Sequence, residues 1–307
     1  ILNNYIYDPL GGNEGTDIKD HTIGTVIEGN VYQNNQSTWG VILLNTGSSH
    51  SLIYGNILRG SSGSQQWAGA ITITGPNNWI FNNLIYQNTG LDGIYLFNYP
   101  GNKVYNNTIY NTDVGIGFDG DGPGVSGIEV VNNILSANDV QIKGWVIDAV
   151  VFEHNLFDGP SDIYGDNAIQ SDPQFVNPTD GDFHLLENSP AIDAGVSLTN
   201  IDLDLENDTR LQGSAFDIGA YETAGGAIPT ATPTQAPTQE PTNTPEPTAT
   251  CVIDILDLSF IGAHFQTNTG HPNFDPLADI NDDGTINVLD LTLASANFHQ
   301  ECPANWS

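Results

Sequence analysis

The sequence predicts an all-β, right-handed parallel β-helix solenoid followed by a small helical calcium-binding module. One asparagine recurs at Asn4, Asn30, Asn56, Asn83, Asn107, Asn133 and Asn155, at intervals of 22 to 27 residues. An apolar residue stands three places before each: Ile1, Ile27, Ile53, Ile80, Val104, Val130 and Phe152. Another large residue stands two places after: Ile6, Tyr32, Leu58, Ile85, Ile109, Leu135 and Phe157. Three registered positions over seven repeats define one structural unit per interval.

A unit of about 25 residues with short β-type runs cannot bury a face alone, so units must stack. A coil that returns to its start on each turn gives parallel pairing without helical crossovers, with coils spaced about 4.8 Å apart. Equivalent asparagines then align, and Asn30, Asn56, Asn83, Asn107, Asn133 and Asn155 are expected to bond one another as a buried amide ladder. Asn, Gly or His precedes each of them, which suits a bend. A second apolar run recurs downstream, at Val41-Ile42-Leu43, Ile71-Thr72-Ile73, Ile94-Tyr95-Leu96 and Ile116-Gly117-Phe118. The twist of parallel connections sets the hand to the right. Coil length varies mainly over residues 9–24, 60–68 and 119–126, where a solenoid carries function.

The repeat occupies residues 1–163. The 307-residue chain has no methionine and opens inside a repeat, so Ile1 is expected to be a processed or truncated edge. Residues 164–223 break the period and are expected to cap the last coil. Residues 224–250 are a Pro/Thr-rich linker, extended by its prolines. Residues 251–307 form the final module. Cys251 and Cys302 bracket it, which reads as a disulfide in an oxidising, extracellular compartment, with two free thiols as the alternative.

Five basic residues against 37 acidic ones leave a net charge of −32. Nucleic acid and anionic membranes are excluded as partners, because phosphate recognition needs Lys and Arg clusters. No apolar run approaches the roughly 20 residues of a membrane span. A secreted monomer is expected.

The clearest metal motif runs from Asp279 to Asp290. Oxygen-bearing side chains stand at loop positions 1, 3, 5, 9 and 12 (Asp279, Asn281, Asp283, Asn287, Asp290), with the Thr285 carbonyl at position 7. Gly284 falls at position 6, where such a loop turns sharply. An all-oxygen set with several carboxylates points to Ca2+. Asp254-Ile255-Leu256-Asp257-Leu258 returns 33 residues later as Asn287-Val288-Leu289-Asp290-Leu291. Two loop-helix units with Asp at position 12 resemble a type I dockerin, and that resemblance implies a cohesin-type scaffold as partner. The first loop departs from the pattern, with Glu246, Thr248, Thr250 and Cys251 at positions 1, 3, 5 and 6. One calcium site is therefore expected. Apolar residues at positions 10 and 11 also depart from the usual recognition code.

Residues 1–223, with the closing motifs Asn188-Ser189-Pro190-Ala191-Ile192-Asp193-Ala194-Gly195 and Phe216-Asp217-Ile218-Gly219-Ala220-Tyr221-Glu222, resemble right-handed β-helix repeat proteins of the pectate-lyase-like superfamily. The resemblance implies a polysaccharide partner and either a lyase, a glycoside hydrolase or a non-catalytic surface protein. A lyase needs cations at the uronate, yet Arg59 and Lys103 fall on different corners of the coil. A hydrolase needs two carboxylates. Asp92, Asp113, Asp119 and Asp121 cluster near the downstream strand and are the catalytic candidates; the alternative for each is a turn residue bonding its own backbone. Trp39, Trp67 and Tyr95 are candidates for a sugar-stacking platform, with core packing as their alternative. The rival to an enzyme is a rigid adhesive rod.

Overall fold

In a computed structural model of the chain, the coils pass along three faces, and like strands stack in parallel. The structure describes residues 1–7, 14–63, 65, 67–119, 124–144, 147–159 and 164–223, together with 267–269 and 284–286; of Asp119, Thr267, Asn268 and Ile286 only the backbone is described. Contacts divide the chain into two units, residues 1–232 and 233–307.

The first face of the solenoid is a six-stranded parallel sheet: Val26–Glu28, Leu52–Tyr54, Trp79–Phe81, Lys103–Tyr105, Glu129–Val131 and Val151–Glu153. Its central residues Ile27, Ile53, Ile80, Val104, Val130 and Phe152 point inward in register and are buried. The second face begins just after each ladder asparagine, with Val31–Gln33, Ile57–Arg59, Ile134–Ser136 and Leu156–Asp158 among its strands. Tyr32, Leu58, Ile85, Ile109, Leu135 and Phe157 fill the core from this side. The third face holds Gly40–Leu44, Gly69–Ile73 and Val140–Gly144, with the ends of the long strands Leu84–Phe97 and Thr108–Asp119 between them. The first two faces send one central side chain inward per strand and the third sends at least two in most coils, such as Ile42 with Leu44 and Ile71 with Ile73, giving a continuous apolar column. Each buried Leu or Ile in it contributes about 1.5–3 kcal/mol.

All three corners share one local grammar. A residue with positive φ turns the chain, and a buried polar residue follows it. Before the ladder asparagines the turning residues are Asn3, Gly29, Gly55, Asn82, Asn106, Asn132 and His154, with φ between 49 and 64°. Asn and Gly tolerate that left-handed conformation, which explains their choice. The ladder amides donate turn to turn: Asn30 Nδ2 to Asn56 Oδ1 at 3.0 Å, Asn56 to Asn83 at 2.9 Å, Asn83 to Asn107, Asn107 to Asn133 and Asn133 to Asn155 each at 3.0 Å. Each acceptor also takes the backbone N–H of the asparagine one coil earlier. The other two corners carry shorter ladders of mixed residue type. Ser51 and Asn78 donate their N–H groups to Asn78 and Asn102; Asn35 and Ser61 donate theirs to Ser61 and Asn88, and Thr112 to Asn138.

Residues 164–223 close the final coil and then run back along the solenoid. Ile169–Gln170 pairs with Leu156–Phe157. Phe175, Phe183 and Leu185 pack against Leu84, Tyr86, Ile134 and Leu156 of the second face. Ile201, Val196 and Leu198 pack against Phe81, Tyr105 and Val131 of the first. Between these two contacts the turning asparagines act as rivets. Asn82 Nδ2 donates to the Leu203 carbonyl, Asn106 Nδ2 to Asp217 and Asn132 Nδ2 to Val196. The buried Arg210 donates to Asn82 Oδ1 at 2.7 Å and to the Glu222 carboxylate.

Candidate functional site

The outer side of the third face presents two rows of residues. One row runs Gly40, Gly69, Asp92, Val114 and Val140, and the other Leu43, Thr72, Tyr95, Gly117 and Lys143. The second row continues from Leu43 to Asp17, a carboxylate bonded to Lys19 and Asn45. Asp92 is the one carboxylate in the first row, and its position follows from an irregularity. Asn88 pairs with Thr112 but Asp92 pairs with Val114, so the coil of Leu84–Phe97 carries two residues more than its neighbour between those points. The excess is taken up at Thr89-Gly90-Leu91, with Gly90 at φ +66°. The bulge is pinned by Asp113, whose Oδ1 accepts the Gly90 N–H at 2.9 Å.

Beyond the bulge Asp92 is 7% exposed. Its carboxyl lies over Gly117, where any added Cβ would collide with Asp92 Oδ2 and crowd the Tyr95 ring. Glycine at 117 thus makes the hollow that the carboxyl occupies. Burial, the largest cause, raises the Asp92 pKa from 3.8 to about 7; the Lys143 ammonium opposes that rise, and the Asp113 carboxylate adds to it. At neutral pH the group sits near the middle of its titration, which suits proton donation or acceptance.

On the two preceding coils the same corner carries Trp39 and Trp67, which are 44% and 46% exposed. Trp39 directly precedes Gly40, and Trp67 comes two residues before Gly69. Their large apolar faces are open to a ligand lying along the solenoid axis. Of the two readings for Tyr95, its burial fits packing: it is 3% exposed, packed edge-on to Phe97, so it lines the hollow and offers no platform.

The family described as the right-handed β-helix region matches residues 1–179, more than half of the chain. The chain belongs to this family. Among solved structures, the crystal structure of pectate lyase Pel9A is similar over 71% of this chain and 69% of that one, at 15% identity and a TM-score of 0.33. Comparison with curated proteins gives no match.

Of the four catalytic candidates, this β-helix brings Asp92 and Asp113 to one corner. Asp113 is exposed and spends one oxygen on a turn N–H. The Asp119 backbone pairs with Phe97 at the far end of the same face, and Asp121 lies outside the described residues. The three cations of the regular coils stand on three faces. Arg59 donates to Gln33 and Tyr86 on the second face, Lys103 pairs with Glu129 on the first, and Lys143 is exposed on the third. Lys143 was not singled out as a partner for Asp92 by sequence reasoning. Its pairing with Gly117, the residue beneath the carboxyl, is visible only once the register is known.

Of the loop expected from the sequence to bind calcium, Gly284, Thr285 and Ile286 are described; its expected ligands Asp279, Asn281, Asp283, Asn287 and Asp290, and Cys251 and Cys302, lie outside the described residues. Gly284 has φ +83°, the left-handed turn that position 6 requires. Thr285–Ile286 forms a short antiparallel ladder with Thr267–Asn268, reinforced by the Thr269 N–H to the Gly284 carbonyl at 3.0 Å.

Proposed function

We propose that this β-helix binds a polysaccharide along the outer side of its third face and hydrolyses it, with Asp92 as the proton donor and Asp113 as the second carboxylate. The observation that carries the reading is the buried Asp92 carboxyl, whose pKa burial raises, beside an exposed carboxylate and in line with two exposed tryptophans. Two carboxyl groups in contrasting surroundings are what acid–base cleavage of a glycosidic bond requires. The tryptophans supply stacking surfaces for successive sugar rings.

Lys143 favours a second reading, β-elimination of a uronate polymer, in which the ammonium neutralises the substrate carboxylate while Asp92 takes the proton beside it. Incubation with neutral glucans, xylans, arabinans, pectins and alginate separates the two. New reducing ends without an ultraviolet-absorbing unsaturated product are expected; the unsaturated product would install the lyase reading. Full activity in Asp92→Asn on whichever polymer is cleaved would remove both.

The C-terminal module extends this reading to a secreted protein held on a cohesin-type scaffold. Asp279, Asn281, Asp283, Asn287 and Asp290 with the Thr285 carbonyl would hold Ca2+, which on binding would order the loop. Titration of the full chain with Ca2+ is expected to give one site, abolished by Asp279→Ala. Capture by an immobilised cohesin should require that calcium.

A further inference from the structure

A second concavity lies on a different face. The first face and residues 200–207 enclose a cleft of about 640 Å³. Its floor is an aromatic stack: the Tyr54 and Phe81 rings lie 4.7 Å apart and 5° from parallel. Phe81 covers one side of Tyr54. The other side is turned toward the preceding coil, whose residue in register is Glu28 and not another ring. Burial first, and then the Glu28 carboxylate, raise the pKa of the Tyr54 hydroxyl, so the phenol stays neutral beside that carboxylate.

The cleft exists because of a substitution within the repeat. At the turning position the coils covered by residues 196–219 use Asn82, Asn106 and Asn132, whose amides fill the corner and bond that segment. The two earlier coils use Gly29 and Gly55, each at φ +64°. At Gly29 the place of a side chain is taken by Asn3 Oδ1, but at Gly55 the nearest atom to that place is the Gly29 backbone nitrogen at 3.7 Å, so the corner beside Tyr54 is open. The opposite wall is rigid. Asp204 is buried and accepts the N–H groups of Glu206, Asp208 and Glu222, which locks the loop that presents Asn200 and Asn207 to the cleft.

We propose that this cleft is a second carbohydrate site, in which one neutral pyranose ring of a glycan lies against Tyr54 and is bonded through its hydroxyls by the surrounding amides and carboxylates. The lining residues argue for that class. Glu28, Asp202 and Asp204 are among them and no Lys or Arg is, so an anionic ligand is repelled. An ammonium would use acceptors alone and leave the Asn3, Asn200 and Asn207 N–H groups without a role. Sugar hydroxyls use donors and acceptors together. A ring with one apolar face and a polar edge matches an aromatic floor with a polar rim. The inference rests on this cleft and stands whether or not Asp92 is catalytic.

The test uses the full chain carrying Asp92→Asn, so that no probe is consumed. Cellopentaose, xylopentaose, mannopentaose and β-1,4-galactopentaose, all built of pyranose rings, are titrated by calorimetry and by saturation-transfer NMR, with choline as the cationic control. At least one neutral pentasaccharide is expected to bind. Gly55→Asn is expected to weaken that binding about tenfold or more, with an unchanged circular dichroism spectrum. The fold should accept this change, because a Cβ at residue 55 meets its nearest neighbour at 3.7 Å and the next coil already holds asparagine at the same turn. Tyr54→Ala should weaken binding at least as much, and Trp67→Ala on the other face should leave the Tyr54-dependent component unchanged. Binding of choline alone, binding of none of the four sugars, or wild-type affinity in both Gly55→Asn and Tyr54→Ala would overturn the proposal. Failure of polysaccharide hydrolysis with this binding intact would count only against the role of Asp92.

Discussion

The corner between the first and second faces and the corner that leads into the third are built from the same chain, yet they hold polar groups in opposite ways. At the first, Asn107 is typical: its Oδ1 accepts the Asn83 backbone N–H and side-chain amide, and its Nδ2 donates to the Ile80 carbonyl and to Asn133. Every coil repeats the arrangement, so burial of the amides costs little and the stack is rigid. At the second, two extra residues interrupt the repeat, and a carboxyl is driven into a glycine hollow where its charged form is disfavoured. The repeated corner stabilises the solenoid; the interrupted one stores an ionisable group out of its ordinary range. The site is tolerable because the coils on both sides are held by the ladders.

Four changes probe that contrast. Asp92→Asn should reduce cleavage by about 10²–10⁴-fold, the range of a lost general acid. In the wild type, activity that depends on protonated Asp92 should fall as pH rises through about 7. Its stability should also fall between pH 4 and 7, because the folded state holds a proton the unfolded chain has released. By that linkage, Asp92→Asn should be more stable than the wild type at pH 8, by roughly 2–4 kcal/mol. Denaturant unfolding at pH 5 and pH 8 measures this, and an unchanged difference between the two would show that Asp92 is not held in its acid form.

Asn107→Ala should act in the reverse sense, with no pH dependence. It leaves the Asn83 amide and N–H without their acceptor inside the core, for a loss of roughly 3 kcal/mol. Gly117→Ala should join the two behaviours. The new methyl must displace the Asp92 carboxyl toward solvent, returning its titration toward the usual carboxylate range and moving the alkaline limb of the activity profile to lower pH. A profile that stays in place would sever Asp92 from that limb.

The smallest effect is expected at His184. Its ring bonds Asp182 at 2.7 Å and Glu206 at 3.1 Å and lies 4.4 Å from the Tyr221 ring. Burial alone would lower its pKa, but the two carboxylates outweigh it and raise it. Their contribution is thus present below pH 6.5 and is lost as pH rises through the raised value. The site is half-exposed, so His184→Gln should cost only a few tenths of a kcal/mol at pH 5.5 and nothing at pH 9.

Much of the architecture can be read directly from the residues. The ladder corner announces itself because one residue type, asparagine, returns in every coil with apolar neighbours at fixed offsets. The other two corners use the same turn with Ser, Thr and Asn interchanged, so their repeats are degenerate in type and escape a search for identity. The candidate site was half legible. Asp92 and Asp113 stand out as acids near the downstream strand, but their sequence spacing does not reveal the bulge that separates their roles. Trp39 and Trp67 read from the sequence as core packing before surface, and their exposure emerges only once the faces are assigned.

Local chemistry thus dictated the coil: alternating apolar side chains, a left-handed residue at each bend and an amide behind it are properties of neighbouring positions, and stacking follows from them. Which coil meets which partner lies beyond the reach of local chemistry. The placement of Lys143 over Gly117, the hollow that buries Asp92, and the open glycine corner beside Tyr54 all depend on register between coils more than 20 residues apart. A carboxyl's proton affinity is set by what surrounds it in space, and chain separation carries no record of that.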